Sequence, residues 1–180
     1  MQLATRRIYA GRVISVDLDT VRFPDGSSGE LEMIRHPGAA AVVPVLSDPE
    51  GPDPTLLLLR QFRYATGGTL WEIPAGRLAD PGEEPAACAR RELLEEAGVT
   101  AGRVEPLTTI WTTPGFTDET IHLFLATELH PAEHRREHDE FIEVQPLPLS
   151  RALEMIRSGD IRDAKTALAI LYVAGFILGR

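Results

Sequence analysis

The chain has 180 residues, 43% of them hydrophobic, enough for one domain with a substantial core. Its net charge of −9 lacks the electrostatic footprint of a nucleic-acid binder, so a polyanionic substrate would need metal ions between it and the protein. Met1 to Arg12 hold no apolar run of signal-peptide length, and the longest apolar run, Ala167 to Leu178, is too short to span a bilayer. In chain order, residues 7 to 35 read as strands around turns. Arg12 to Val16 alternates, Val21-Arg22-Phe23 is a short apolar-polar-apolar unit, Pro24-Asp25-Gly26 signals a turn, and Glu30 to Ile34 alternates again. So small a β segment cannot bury its own faces and should pack on the main body or on another subunit.

Ala39 to Leu46 and Thr55 to Leu59 have the composition of buried strands, joined by the Pro/Gly/Asp-rich loop 47 to 54. Trp71 to Pro74 is a short strand leading into a glycine-punctuated loop. Pro85 placed as a first-turn proline and Gly98 as a C′ glycine predict a helix over 85 to 97. Val104 to Trp111, Thr120 to Ala126 and Glu140 to Val144 are further strands. Ser150 is positioned to cap a helix over Arg151 to Arg157, closed by Gly159, and a last helix runs from about Asp163 to Leu178. Mixed strands with three helices predict an α/β sandwich.

The helix at 85 to 97 carries the chemistry. With Leu93 at the centre of its buried face, Ala86, Ala89 and Ala97 fall nearby, and Glu92, Glu95 and Glu96 share one flank. Like charges crowded beside an apolar stripe cost stability unless a cation sits among them. Hard oxygen donors of this kind suit Mg²⁺ or Mn²⁺, with water and a substrate phosphate completing the shell. The rival reading is a solvated acidic face with an ordinary Arg91–Glu95 pair; the glycines and proline around the helix favour the functional one. Cys88, the single cysteine, lies on the same helix and reads as small-residue filler. It excludes an intramolecular disulfide and fits a reducing cytoplasm. Lys165, the only lysine, prompts no functional reading.

Gly76, Glu83, Arg91, Glu92, Leu93, Glu95, Glu96, Gly98 and Val99 together resemble the Nudix hydrolase signature. Six residues rather than the usual five separate Gly76 from Glu83, and the Asp80-Pro81-Gly82 turn should absorb the extra one. The resemblance implies a Nudix-type α/β/α sandwich with a mixed sheet over residues 38 to 180. It also implies an N-terminal β segment, residues 1 to 37, exchanged in a homodimer. Divalent ions held by Glu92, Glu95, Glu96 and the Ala75 carbonyl would neutralise phosphate charge and lower the pKa of the attacking water. Arg91 would orient the glutamates.

Arg60 to Arg63, Trp71 to Gly76 and Thr113 to Glu119 resemble the ADP-ribose pyrophosphatase branch, as does Pro114 sixteen residues past Gly98. That branch implies cytoplasmic, Mg²⁺-dependent cleavage of ADP-ribose to AMP and ribose 5-phosphate. Another nucleoside diphosphate sugar, or a non-catalytic ADP-ribose sensor, is the alternative. Arg63 is expected to grip the pyrophosphate bidentately, with Arg60 a weaker candidate. Glu72 and Glu119 would accept hydrogen bonds from base or ribose. Glu140, with Glu137 as its rival, would act as a loop general base. His134 and His138 lack a third ligand and are not read as a metal site. Tyr9, Phe23 and Trp71 are all possible base-stacking residues, none of them favoured.

Overall fold

The computed structural model describes residues 1–80, 82–133 and 141–179. Strands β1 (Gln2–Ala10), β2 (Ser15–Arg22) and β3 (Ser28–Arg35) form an antiparallel sheet of their own. The alternation at Arg12 to Val16 does not make a strand along its whole length. The Gly11 N–H bonds to the Ile14 carbonyl at 2.9 Å, so the chain turns there and β2 begins at Ser15. All residues of β1 are exposed, while Asp17 and Asp19 take buried positions on β2. Arg7 and Arg35 answer those carboxylates, so ion pairs hold this sheet where an apolar core would hold another.

Two further sheets form the body. One has the order β7 (Ala75–Arg77), β4 (Ala39–Pro44), β9 (Thr120–Pro131) and β8 (Val99–Trp111), with β4 and β9 parallel and the other pairs antiparallel. The other has the order β10 (Ile142–Pro148), β5 (Thr55–Arg63) and β6 (Gly68–Glu72). Successive side chains of a strand point to opposite faces, and here both faces are apolar. Ala40, Val42, Leu57 and Leu59 pack with Cys88, Ala89 and Leu93 of helix α1 (Pro85–Ala97). Ala41, Val43, Leu56 and Leu58 pack with helices α2 (Leu149–Ser158) and α3 (Ala164–Tyr172). The result is a mixed α/β sandwich with helices on both sides, as the sequence predicts. Burying Leu93 alone is worth roughly 2 kcal/mol.

Helix ends show where local rules held. Gly98 and Gly159 both adopt left-handed φ, 67° and 81°, closing α1 and α2. Ser150 is not the cap of α2, which starts at Leu149 after Pro148. Instead the Asp53 carboxylate accepts the Ser150 N–H at 2.9 Å and its hydroxyl at 2.7 Å, so the cap comes from the distant loop 47 to 54. Asp163 caps α3 by accepting the Thr166 N–H at 3.0 Å. The last helix is regular only to Tyr172; Val173–Ile177 is π-helical, with the Leu178 N–H reaching back to the Val173 carbonyl. Among the described residues no helix is long and apolar enough to cross a membrane.

Candidate active site

Helix α1 buries Ala89 and Leu93 completely, and that rotation carries Glu92 and Glu96 to buried positions at its flank, 7% and 2% exposed. Each carboxylate meets the β7 backbone. The Ala75 N–H donates to Glu96 Oε2 at 2.8 Å. Gly76 lies so close to the Glu92 carboxylate that a Cβ there would collide with it, which explains a glycine at that position. Arg91 clasps the group from the other side. Its guanidinium donates to both Glu83 oxygens at 3.1 and 3.2 Å, to Glu92, to Glu95 Oε2 at 3.1 Å and to the Arg77 carbonyl at 3.0 Å. Hydrogen bonds to Glu83 hold Arg91 firmly protonated, and the Glu83 carboxyl is correspondingly held below its ordinary range. Before Glu83, the Asp80 side chain accepts the Gly82 N–H at 2.8 Å and its carbonyl accepts that of Glu83 at 3.2 Å.

Glu92, Glu95 and Glu96 line a cavity of about 570 Å³ together with Ala75, Gly76 and Gln61. Among the described residues no three His, Cys, Asp or Glu side chains converge closely enough to cage a metal. Carboxylates lining a cavity are the donors that suit a small hard cation, which keeps much of its water and binds through one or two of them plus substrate phosphates. The all-oxygen donor set agrees. A larger cavity of about 890 Å³ adjoins the first, and Arg63, His36, Ala75, Gly76 and Arg77 line both.

Arg63 therefore stands at the junction. Alternation along β5 turns Gln61 and Arg63 toward the site and Arg60 away from it. Arg60 instead stacks on the Trp71 ring at 5.5 Å and donates to Thr69 at 3.3 Å; the structure does not bring it to either cavity. Arg63 Nε and Nη2 each donate to a Glu72 oxygen at 2.8 Å. Glu72 is 1% exposed, and its Oε2 also accepts from Lys165 Nζ at 2.6 Å. Both oxygens thus accept from cations of this chain. Burial opposes ionisation of Glu72, but the Arg63 hydrogen bonds and the Lys165 charge outweigh it and hold the carboxyl below its usual range.

Glu119 lines the larger cavity, its Oε2 accepting the Thr112 hydroxyl at 2.7 Å and its Oε1 lying 3.5 Å from His36 Nδ1. Glu140, Glu137, His134 and His138 lie outside the described residues. Tyr9, Phe23 and Trp71 line neither cavity, whereas Trp111, 61% exposed, lines the larger one. Trp111, His36 and Lys165 escaped the sequence reading. Only the rarity of lysine in this chain could have drawn attention to the last of them. Cys88 is buried and its thiol is pushed up to about 12 by desolvation, as suits a packing residue.

The NUDIX domain model matches residues 36–167. The chain is 42% identical to an ADP-ribose pyrophosphatase of Bacillus subtilis, over 95% of this chain and 90% of that protein. It is 45% identical to a GDP-mannose pyrophosphatase of Salmonella paratyphi B, over 66% of each chain. A crystal structure of an ADP compounds hydrolase superposes with a TM-score of 0.83 at 22% identity, covering 99% of this chain and 94% of the other, and so shares the fold. This chain belongs to the Nudix family. Nudix hydrolases generally need divalent metal ions.

Proposed function

We propose that this protein hydrolyses the diphosphate bond of ADP-ribose to AMP and ribose 5-phosphate, using Mg²⁺. The observation that carries the reading is the position of Arg63, a guanidinium set between a carboxylate-lined cavity and one of the size that holds a small organic ligand. The similarity to the Bacillus subtilis ADP-ribose pyrophosphatase supports the substrate. Glu92, Glu95, Glu96 and the Ala75 carbonyl would hold the metal, which when bound neutralises phosphate charge and makes water a better nucleophile. Arg63 binds the diphosphate with the donors that Glu72 leaves free. Glu119 and Thr112 offer hydrogen bonds to ribose hydroxyls in the larger cavity, and Arg91 fixes Glu92 and Glu95 against drift. Glu140 is assigned as the acceptor of the water's proton.

The reading includes a cytoplasmic homodimer in which residues 1 to 37 are the exchanged segment. Its support is the exposure of β1, where Leu3, Ile8 and Tyr9 stand 42%, 53% and 57% exposed. The test is hydrolysis of a panel of nucleoside diphosphate sugars with Mg²⁺, Mn²⁺ or EDTA. ADP-ribose should give the highest kcat/KM, and EDTA should abolish turnover. The Salmonella relative supports a second reading, and faster cleavage of GDP-mannose would replace ADP-ribose as the substrate. Inertness toward every compound with metal present would make the protein a sensor.

A further inference from the structure

Glu72 is a buried carboxylate held by two cations: Arg63, which bonds both its oxygens and lines both cavities, and Lys165, which bonds Oε2 and lines the larger cavity but not the glutamate one. Lys165 Nζ donates to Glu72 at 2.6 Å and to Asp163 at 2.9 Å, its side chain 13% exposed. Arg63 and Lys165 balance Glu72 and Asp163, so the four groups are together neutral. Without Lys165 the group would carry a net negative charge beside the place where a diphosphate binds. Glu72 would then draw on Arg63 alone, and the positive field that Arg63 offers to phosphate would be largely cancelled.

We infer that Lys165 is a positioning residue: acting through Glu72, it frees the Arg63 guanidinium to bind the diphosphate of the substrate. The inference rests on the diphosphate reading above and names what tunes that site. The contact joins residues 93 positions apart.

The experiment measures binding of imidodiphosphate, a diphosphate that resists hydrolysis, by calorimetry in the presence of Mg²⁺. Four chains are compared: wild type, Lys165→Arg, Lys165→Met, and Lys165→Met combined with Glu72→Gln. Lys165→Met should bind about tenfold more weakly, the scale of one uncompensated charge at a binding site, and Lys165→Arg should stay within about threefold of wild type. Removing both charges should recover at least about threefold over Lys165→Met, because the two groups act as a pair. With ADP-ribose, Lys165→Met should raise KM and leave kcat within about threefold. Thermal unfolding of each variant identifies any that fails to fold, and the charge-keeping Lys165→Arg then carries the comparison. Unchanged affinity in folded Lys165→Met would overturn the inference. So would a double variant that binds no more tightly than the single, because Lys165 would then not be acting through Glu72. Wild-type turnover of ADP-ribose is scored separately: its absence would defeat the substrate reading while the diphosphate affinities still judge Lys165.

Discussion

The N-terminal sheet and the sandwich are both β structures with alternating faces, yet they are held by different forces. In the sandwich, β4 buries every residue and each face meets a helix layer. In the N-terminal sheet the buried positions on β2 are Asp17 and Asp19, and Arg35 joins both to Asp118 of the loop that precedes Glu119. Apolar burial neither titrates nor is screened by salt, whereas ion pairs are subject to both. One region is therefore held chiefly by apolar burial, the other by charge and by what it docks against.

The comparison can be broken at either region, and the largest effect belongs to the site that the sandwich supports. Glu96→Gln should lower kcat by at least about a hundredfold, on the scale of a removed transition-state contact, and leave the unfolding midpoint near wild type. Full activity would remove the α1 glutamates from the mechanism. Leu93→Ala should cost about 2–5 kcal/mol in denaturant unfolding, since it opens a cavity in a completely buried face. Arg35→Ala should cost less globally, and should raise hydrogen exchange in β1 to β3 well above that in β4 and β9. Equal protection in both regions would contradict the division drawn here.

Acid sharpens the same contrast. Asp17 is held below its usual range, first by its hydrogen bond from Arg7 and then by Arg35. A depressed carboxyl contributes stability above its unfolded pKa and loses it as pH falls through the folded value. Protection against exchange in the N-terminal sheet, corrected for the intrinsic rate at each pH, should therefore fall below about pH 4. The smallest expected effect is at Cys88, where alkylation of the native protein at neutral pH should be negligible and should appear only on unfolding.

Much of this was legible in the chain. Helix α1 matches its predicted bounds because Pro85, Gly98 and the Ala/Leu spacing are local signals, and local signals also placed its glutamates. Strand β1 and the turn at Gly11 were missed or misplaced because an exposed, charged strand has no apolar alternation to read. Ser150 looked like a cap, but the oxygen that acts there comes from Asp53, which no local pattern reveals. The same limit hid Lys165 and His36, whose partners Glu72 and Glu119 lie far along the chain and are brought to them only by folding. The sequence ranks Arg63 ahead of Arg60 as a phosphate ligand, and in the fold the strand's pleat separates them, Arg63 lining both cavities and Arg60 lying on Trp71.

That contact from Asp53 has a practical consequence. The loop 47 to 54 has the polar, glycine- and proline-rich character of a segment that tolerates tags or grafted peptides. Yet the Pro54 carbonyl accepts the Leu149 N–H at 2.8 Å, and Asp53 fastens Ser150 beside it. Splicing foreign sequence at that point would unmoor the first turn of α2 and loosen the wall on which Leu149 and Ala152 rest, so an engineer seeking a permissive insertion point should look elsewhere.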